Sequence, residues 1–231
     1  MKLPKRDLPM TSATLPISGI AFQYRPYNIK EKKIIQLAKA AGVDVGIRNA
    51  LVQVAENCTS LDVLNLCEAD FEYLIIKLIA ASHSSIIPVD IEMDCGAEKC
   101  PKTHACAANL DTVKTIGIDE LKRDYKAKKD GFIIPFDDVS GVCMTLVSDG
   151  LDDGDRLHRA FKYYYSEDEI FDEFSKDDVV DWAEGLLESD YNKLIKFISQ
   201  QPKNILELEA RCTQCSTQIN NTVEGVLDFL A

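Results

Sequence analysis

"NILELEARCTQC" (Asn204 to Cys215) runs an apolar–polar stretch into a pair of cysteines two residues apart. The alternation is close enough for a strand, although Ile205 departs from the strict period of two that Leu206, Leu208 and Ala210 keep. An echo stands earlier in the chain. "DIEMDCGAEKC" (Asp90 to Cys100) also runs a strand-like stretch into a paired-cysteine turn, with four residues between Cys95 and Cys100. A pair at either spacing can clasp one tetrahedral zinc, and two such knuckles complete a four-thiolate site. Zinc imposes no redox chemistry and accepts four sulfurs. The two stretches therefore predict a structural zinc held by Cys95, Cys100, Cys212 and Cys215. The preceding strands are expected to lie side by side, as the two halves of a split, zinc-ribbon-like site. Lys99, Lys102 and Arg211 lie near the thiolates in sequence and would offset their negative charge.

The window around the first pair holds two competing ligands. "EMDCGAEKCPKTHAC" (Glu92 to Cys106) also contains His104 and Cys106, either of which could replace Cys100. Unrelated reduced thiols and disulfides are the plainer alternatives for the whole set. Disulfides are disfavoured because no apolar stretch of signal-peptide length follows the basic N-terminus. Four thiolates suit a closed site, whereas a catalytic zinc keeps a position open. A redox role for Cys212-Thr-Gln-Cys215 needs the first cysteine at a helix start, and here a strand ends at it. Cys58, Cys67 and Cys143 lie outside both pairs and read as small buried hydrophobes.

Working outward, the elements predict an α+β chain. Residues 1–28 carry Pro4, Pro9, Pro16 and Pro26, which break the stretch into extended pieces. "ISGIAFQYRPY" within it reads as a strand or strand-like arm. Asn28 with Glu31 forms a capping-box start for a helix that stops at Gly42. A second helix follows from Asp44. The clearest is "EADFEYLIIKLIAAS" (Glu68 to Ser82), where Phe71, Leu74, Ile75, Leu78 and Ile79 trace one buried face. Short strands are predicted in "SIIPVDIEMD", "DTVKTIGID" and "GFIIPF", helices from Asp155 to Gln201, and a last helix over about Asn221 to Leu230. The expected organisation is an extended arm (1–28), a helical region (29–84), a strand-rich zinc-knuckle region with a small antiparallel sheet (85–148 and 203–231), and an acidic helical insertion (149–202).

Composition narrows the function. The 231 residues are 46% hydrophobic, enough for a sizeable core. No apolar run reaches membrane-spanning length, and a cytosolic or cytosol-assembled protein is the default. The formal net charge of −12 argues against nucleic acid as a partner. The charge is polarised. Residues 149–190 hold 15 acidic and 4 basic side chains, while residues 1–39 hold 8 basic and 2 acidic. Such ends are either solvated faces or docking faces for complementary neighbours. There is no P-loop, dinucleotide fingerprint or nucleophile elbow. "SDGLDDGDRLHRA" fails as a calcium loop, because Leu151 and Ala160 occupy ligand positions. His83 and His158 have no matching nucleophile, Asp168/Asp172 and Asp177/Asp181 read as solvated faces, and Trp182 reads as core. No enzyme is predicted.

The order of these features resembles the T4-type baseplate hub and hub-assembly proteins of tailed bacteriophages. "KLPKRDLP" followed by "GIAFQYRPYNIKEKKIIQLA" is similar to that family's opening arm, strand and first helix. "LCEADFEYLIIKLIAASHS" is similar to its central helix. The strand into a cysteine pair, and "CTQC" followed by "VLDFL", match the remaining marks. The resemblance implies a non-enzymatic component of a contractile-tail baseplate, in the virion or in the host cytoplasm during assembly. Its partners would be other baseplate or tail proteins, with possible oligomers inside the assembly. A cytosolic zinc-stabilised protein–protein interaction adaptor is the alternative from a different class.

Overall fold

The computed structural model of the chain describes residues 7–42, 44–94, 103–147, 153–167, 169–212 and 214–224; for 44–45, 89–94, 103–106, 153–154 and 209 it describes the backbone alone. In chain order the strands and α-helices are β1 (Thr11–Thr14), β2 (Ala21–Tyr24), α1 (Ile29–Ala41), α2 (Asp44–Cys58), α3 (Glu68–Ser82), β3 (Ile86–Asp94), β4 (Thr103–Asn109), β5 (Lys114–Ile116) and α4 (Ile118–Asp124). They continue with β6 (Lys126–Lys128), β7 (Gly131–Pro135), β8 (Ser140–Met144), α5 (Asp153–Ala160), β9 (Phe161–Ser166), β10 (Glu169–Phe171), α6 (Lys176–Glu184), α7 (Glu188–Ser199), β11 (Lys203–Arg211) and β12 (Gln218–Glu224). The chain is α+β, and the strand pairs β1–β2, β3–β4, β4–β11, β11–β12, β6–β7, β7–β8, β8–β9 and β9–β10 are all antiparallel. Two compact units divide it. The first takes residues 1–65, 69–115 and 204–231, the second 66–68 and 116–203.

In the first unit, β1 and β2 pair with each other, Thr11 opposite Tyr24 and Thr14 opposite Ala21. Residues 11–24 of the proline-spaced N-terminal stretch thus form a local two-stranded piece, with Leu15, Phe22 and Tyr24 buried. A buried carboxylate holds its turn. Asp70 of α3, 0% exposed, accepts from the backbone N–H of Ile17 at 2.9 Å and of Ser18 at 3.0 Å.

The capping box at α1 is present as read from the sequence. The Asn28 side chain accepts from the backbone N–H of Glu31, and the Glu31 carboxylate accepts from the backbone N–H of Asn28. Gly42 ends the helix at φ 66°, a left-handed conformation that glycine adopts without a Cβ penalty. Glu31 has a second role. Arg25 donates to both of its carboxylate oxygens, at 2.7 and 3.0 Å, and also to the carbonyl of Asn57 in the last turn of α2. One partly buried ion pair thereby joins the strand pair to the start of α1 and the end of α2.

The Arg25 hydrogen bonds hold the Glu31 carboxyl below its ordinary value of 4.5, against the opposing effect of burial. A carboxyl with a depressed folded-state pKa contributes stability above its unfolded pKa and loses it as pH falls through the folded one. Glu31→Gln is therefore expected to cost about 1.5–3 kcal/mol at neutral pH. The gap between the two proteins should close as the pH is lowered through and below 4.5. Urea titrations of both proteins across that range read the difference. A constant gap down to strong acid would contradict it.

The second sheet feature of this unit carries the cysteine pairs. Its order is β12-β11-β4-β3, and β5 also pairs with β11. One face closes on a core of Ile76, Ala108, Leu110, Leu206, Leu208, Cys212 and Ile219. Asn204, 0% exposed, links the start of β11 to α3 and β5. It donates to the Ala69 carbonyl at 2.7 Å and to Glu72 at 3.0 Å, and accepts from the Thr115 hydroxyl at 2.6 Å.

The second unit is built on a five-stranded antiparallel sheet of order β10-β9-β8-β7-β6. Its core gathers Ile134, Val142 and Met144 from the sheet with Leu157, Val179, Leu194 and Phe197 from α5, α6 and α7.

Three expectations are corrected. The stretch from Asp155 to Gln201 is not all helical, since Phe161–Ser166 and Glu169–Phe171 are strands. The run Phe-Lys-Tyr-Tyr-Tyr favours a pleated surface, and its register against β8 buries Phe161. Only Lys114–Ile116 of "DTVKTIGID" is strand, and α4 begins at Ile118. The last helix was expected from Asn221, but Gln218–Glu224 pairs with β11 along its whole length. Asn220, Asn221, Thr222 and Val223 are weak helix formers, and the partner strand decides the outcome. Residues 225–231 lie outside the described residues.

Candidate metal site

Cys212 and Cys215 stand in the turn between β11 and β12. The Cys212 N–H donates to the Thr217 carbonyl at 2.9 Å, and the Ser216 N–H donates to the Cys212 carbonyl at 2.9 Å. These two bonds close a tight loop around the pair. Ser216 takes φ 59°, a left-handed conformation that is uncommon outside glycine. Cys212 is buried at 1% exposure in the apolar cluster under the sheet, whereas Cys215 is exposed. The Cys215 sulfur lies 3.2 Å from the Thr217 hydroxyl. Arg211, which precedes the pair, donates to the Ser216 carbonyl at 3.4 Å.

Cys95 and Cys100 lie outside the described residues, as do Lys99 and Lys102. The backbone on either side of that stretch is described. β3 ends at Asp94, paired with Thr103 at the beginning of β4. β4 in turn pairs antiparallel with β11, Ala108 opposite Leu208 and Ala107 opposite Glu209. β3 and β11 therefore run in the same direction and finish at the same end of the sheet. The expectation that they lie side by side is corrected, because β4 runs between them. β4 is the strand on which His104 and Cys106 sit, opposite Met93 and Val89 respectively. Among the described residues no group of three or more His, Cys, Asp or Glu side chains gathers into a metal site.

Outside the two pairs, Cys58 and Cys143 are buried as expected, whereas Cys67 is only half-buried. Burial and the neighbouring Glu31 push the Cys58 thiol up to about 12, so it stays protonated and is a poor nucleophile. Burial also raises the thiol of Cys143, within β8. His83 is exposed just after α3, edge-on to Tyr27, and burial beside Lys32 lowers its pKa. His158, in the last turn of α5, is edge-on to Phe174. Asp177 and Asp181 are exposed on α6, and Asp168 lies outside the described residues.

One feature of the second unit went unread in the sequence. Trp182 is half-buried and packs against the core of this unit, and its outer side borders an open cleft of about 290 Å³ with Phe161, Tyr164, Phe171 and Phe174. The signal is visible in retrospect as aromatic residues interleaved with acids across "FKYYYSEDEIFDEFS".

A family model described as T4 bacteriophage base plate protein matches residues 8–231 of the chain. Neither the search of curated proteins nor that of solved structures returned a match. No helix among the described residues is long and apolar enough to cross a membrane.

Proposed function

We propose, given that this chain belongs to the T4 bacteriophage base plate protein family, that it is a non-enzymatic hub or hub-assembly component of a contractile tail. The family match over residues 8–231 is the observation that carries this reading, because it spans both units rather than one shared module. The partners are other base plate or tail proteins, and the chain acts in the virion tail or in the host cytoplasm during its assembly. Two described thiols too buried to ionise near neutrality are consistent with a scaffold. Mass spectrometry of purified tails and of tail-assembly intermediates tests this role. The chain is expected in at least one of those fractions, and recovery solely as a free protein would contradict it.

The scaffold is stapled by a structural zinc on Cys95, Cys100, Cys212 and Cys215. Supporting this are the closed loop at the second pair and the common end of the sheet at which β3 and β11 finish. Zinc there would supply no chemistry of reaction. It would tie the loop between β3 and β4 to the turn between β11 and β12, joining strands distant in sequence. His104 and Cys106, on the intervening strand, are the substitutes if one of the first pair does not ligate.

A further inference from the structure

The aromatic cleft of the second unit has the chemistry of a cation-accepting groove. Phe161 meets Trp182 at 5.2 Å and Phe174 at 4.8 Å, edge to face in both cases. Tyr164 stands 5.6 Å from Trp182 and 5.9 Å from Phe171. Phe171 is half exposed, an apolar ring left in water at the lip. Glu173 and Asp178 line the same cleft. Along the sequence from Tyr163 to Asn192, eleven acidic residues stand against one basic residue, Lys176. Lys176 is ion-paired with Asp155 at 2.5 Å. Aromatic faces attract ammonium and guanidinium groups, and a carboxylate rim adds to the pull.

This chain carries a segment of the opposite character. Residues 1–6, "MKLPKR", place Leu3 and Pro4 between Lys2 and the Lys5-Arg6 pair. They precede Asp7, which is exposed and is where the described chain begins. Extended, six residues reach roughly 20 Å, enough to cross such a cleft. We propose that the cleft formed by Phe161, Tyr164, Phe171, Phe174 and Trp182 receives residues 1–6 of a second copy of this chain. Leu3 and Pro4 pack on the rings, while the basic residues meet the ring faces and the acidic rim. A proline-containing segment loses less freedom on binding than a freely flexible one. The contact joins two different surfaces, so it is head-to-tail and can propagate or close into a ring. It is independent of the metal reading.

Trp182 is the sole tryptophan and reports directly on the cleft. A synthetic peptide of residues 1–10 titrated into dilute full-length chain is expected to shift its emission saturably. Phe171→Ala, at an exposed ring, should weaken that binding by about tenfold or more while leaving the chain folded. A peptide with Lys2, Lys5 and Arg6 replaced by Glu should not bind. In sedimentation, the full chain should associate above the peptide's dissociation constant, while a chain starting at Asp7 and the Phe171→Ala variant stay monomeric. Three results would overturn the proposal: no saturable shift, equal binding of a scrambled peptide, or a full chain that remains monomeric although the peptide binds.

Discussion

Replacing Cys215 by serine is expected to destabilise the chain severely, although the side chain is exposed. A surface substitution that touches no special feature changes stability by no more than about 0.5 kcal/mol. Serine also keeps a hydroxyl near the Thr217 oxygen, so that this contact does not account for a large loss. A thiolate ligand changes the expectation. A structural zinc contributes roughly 10–16 kcal/mol of apparent binding free energy near neutral pH. The net stability of a domain is only about 5–15 kcal/mol. Removing one of four ligands weakens the first figure by enough to consume much of the second. Chemical denaturation of the wild type, Cys215→Ser and Cys215→Ala should show both variants displaced alike, and a chelator should displace the wild type towards them. A Cys215→Ser variant as stable as the wild type would remove Cys215 from the ligand set.

The second large effect lies at Asp70, far in sequence from any cysteine pair. Asp70→Ala deletes both acceptors of the Ile17 and Ser18 N–H groups. Hydrogen bonds to a charged group contribute about 1.5–3 kcal/mol each, so the pair accounts for roughly 3–6 kcal/mol. The loss should be local at first, because the two bonds hold the turn between β1 and β2. Hydrogen exchange is expected to rise across residues 11–24 before the rest of the unit opens. Asp70→Asn is the sharper variant, since its carbonyl accepts one N–H while its amide faces the other with a donor. If Asp70→Asn retained wild-type stability and protection, the clamp would not be what seats the strand pair.

These two sites differ in how legible they are. Glu68–Ser82 is readable as a helix with a buried face because its apolar residues recur at helical spacing, and the structure buries Phe71, Leu74, Ile75 and Leu78 there. The same periodicity hides Asp70, since an acid in the first turn reads as a favourable dipole partner, and its acceptors' donors lie more than fifty residues away. The capping box at Asn28 and Glu31 is local and legible, but Arg25's reach to Glu31 and Asn57 is not. Strands fared worse wherever pairing outweighs pattern. Phe161–Ser166 follows a helix without a break and is strand because β8 and β10 flank it. Gln218–Glu224 is strand because β11 offers it a full register. The cysteine echo was legible as two strands running into two turns, while β4 between them was not, because "THACAAN" lacks a clear alternation. The aromatic cleft needed the sheet register before its scattered rings could be seen as neighbours.

The central claim is that one zinc joins the two cysteine pairs of a base plate scaffold. Metal content settles it most directly, measured by elemental analysis and native mass on chain purified without added metal. One zinc per chain is predicted, retained through dialysis and lost in Cys215→Ser. A folded wild-type chain that carries no zinc, and whose unfolding is unmoved by a chelator, would contradict it.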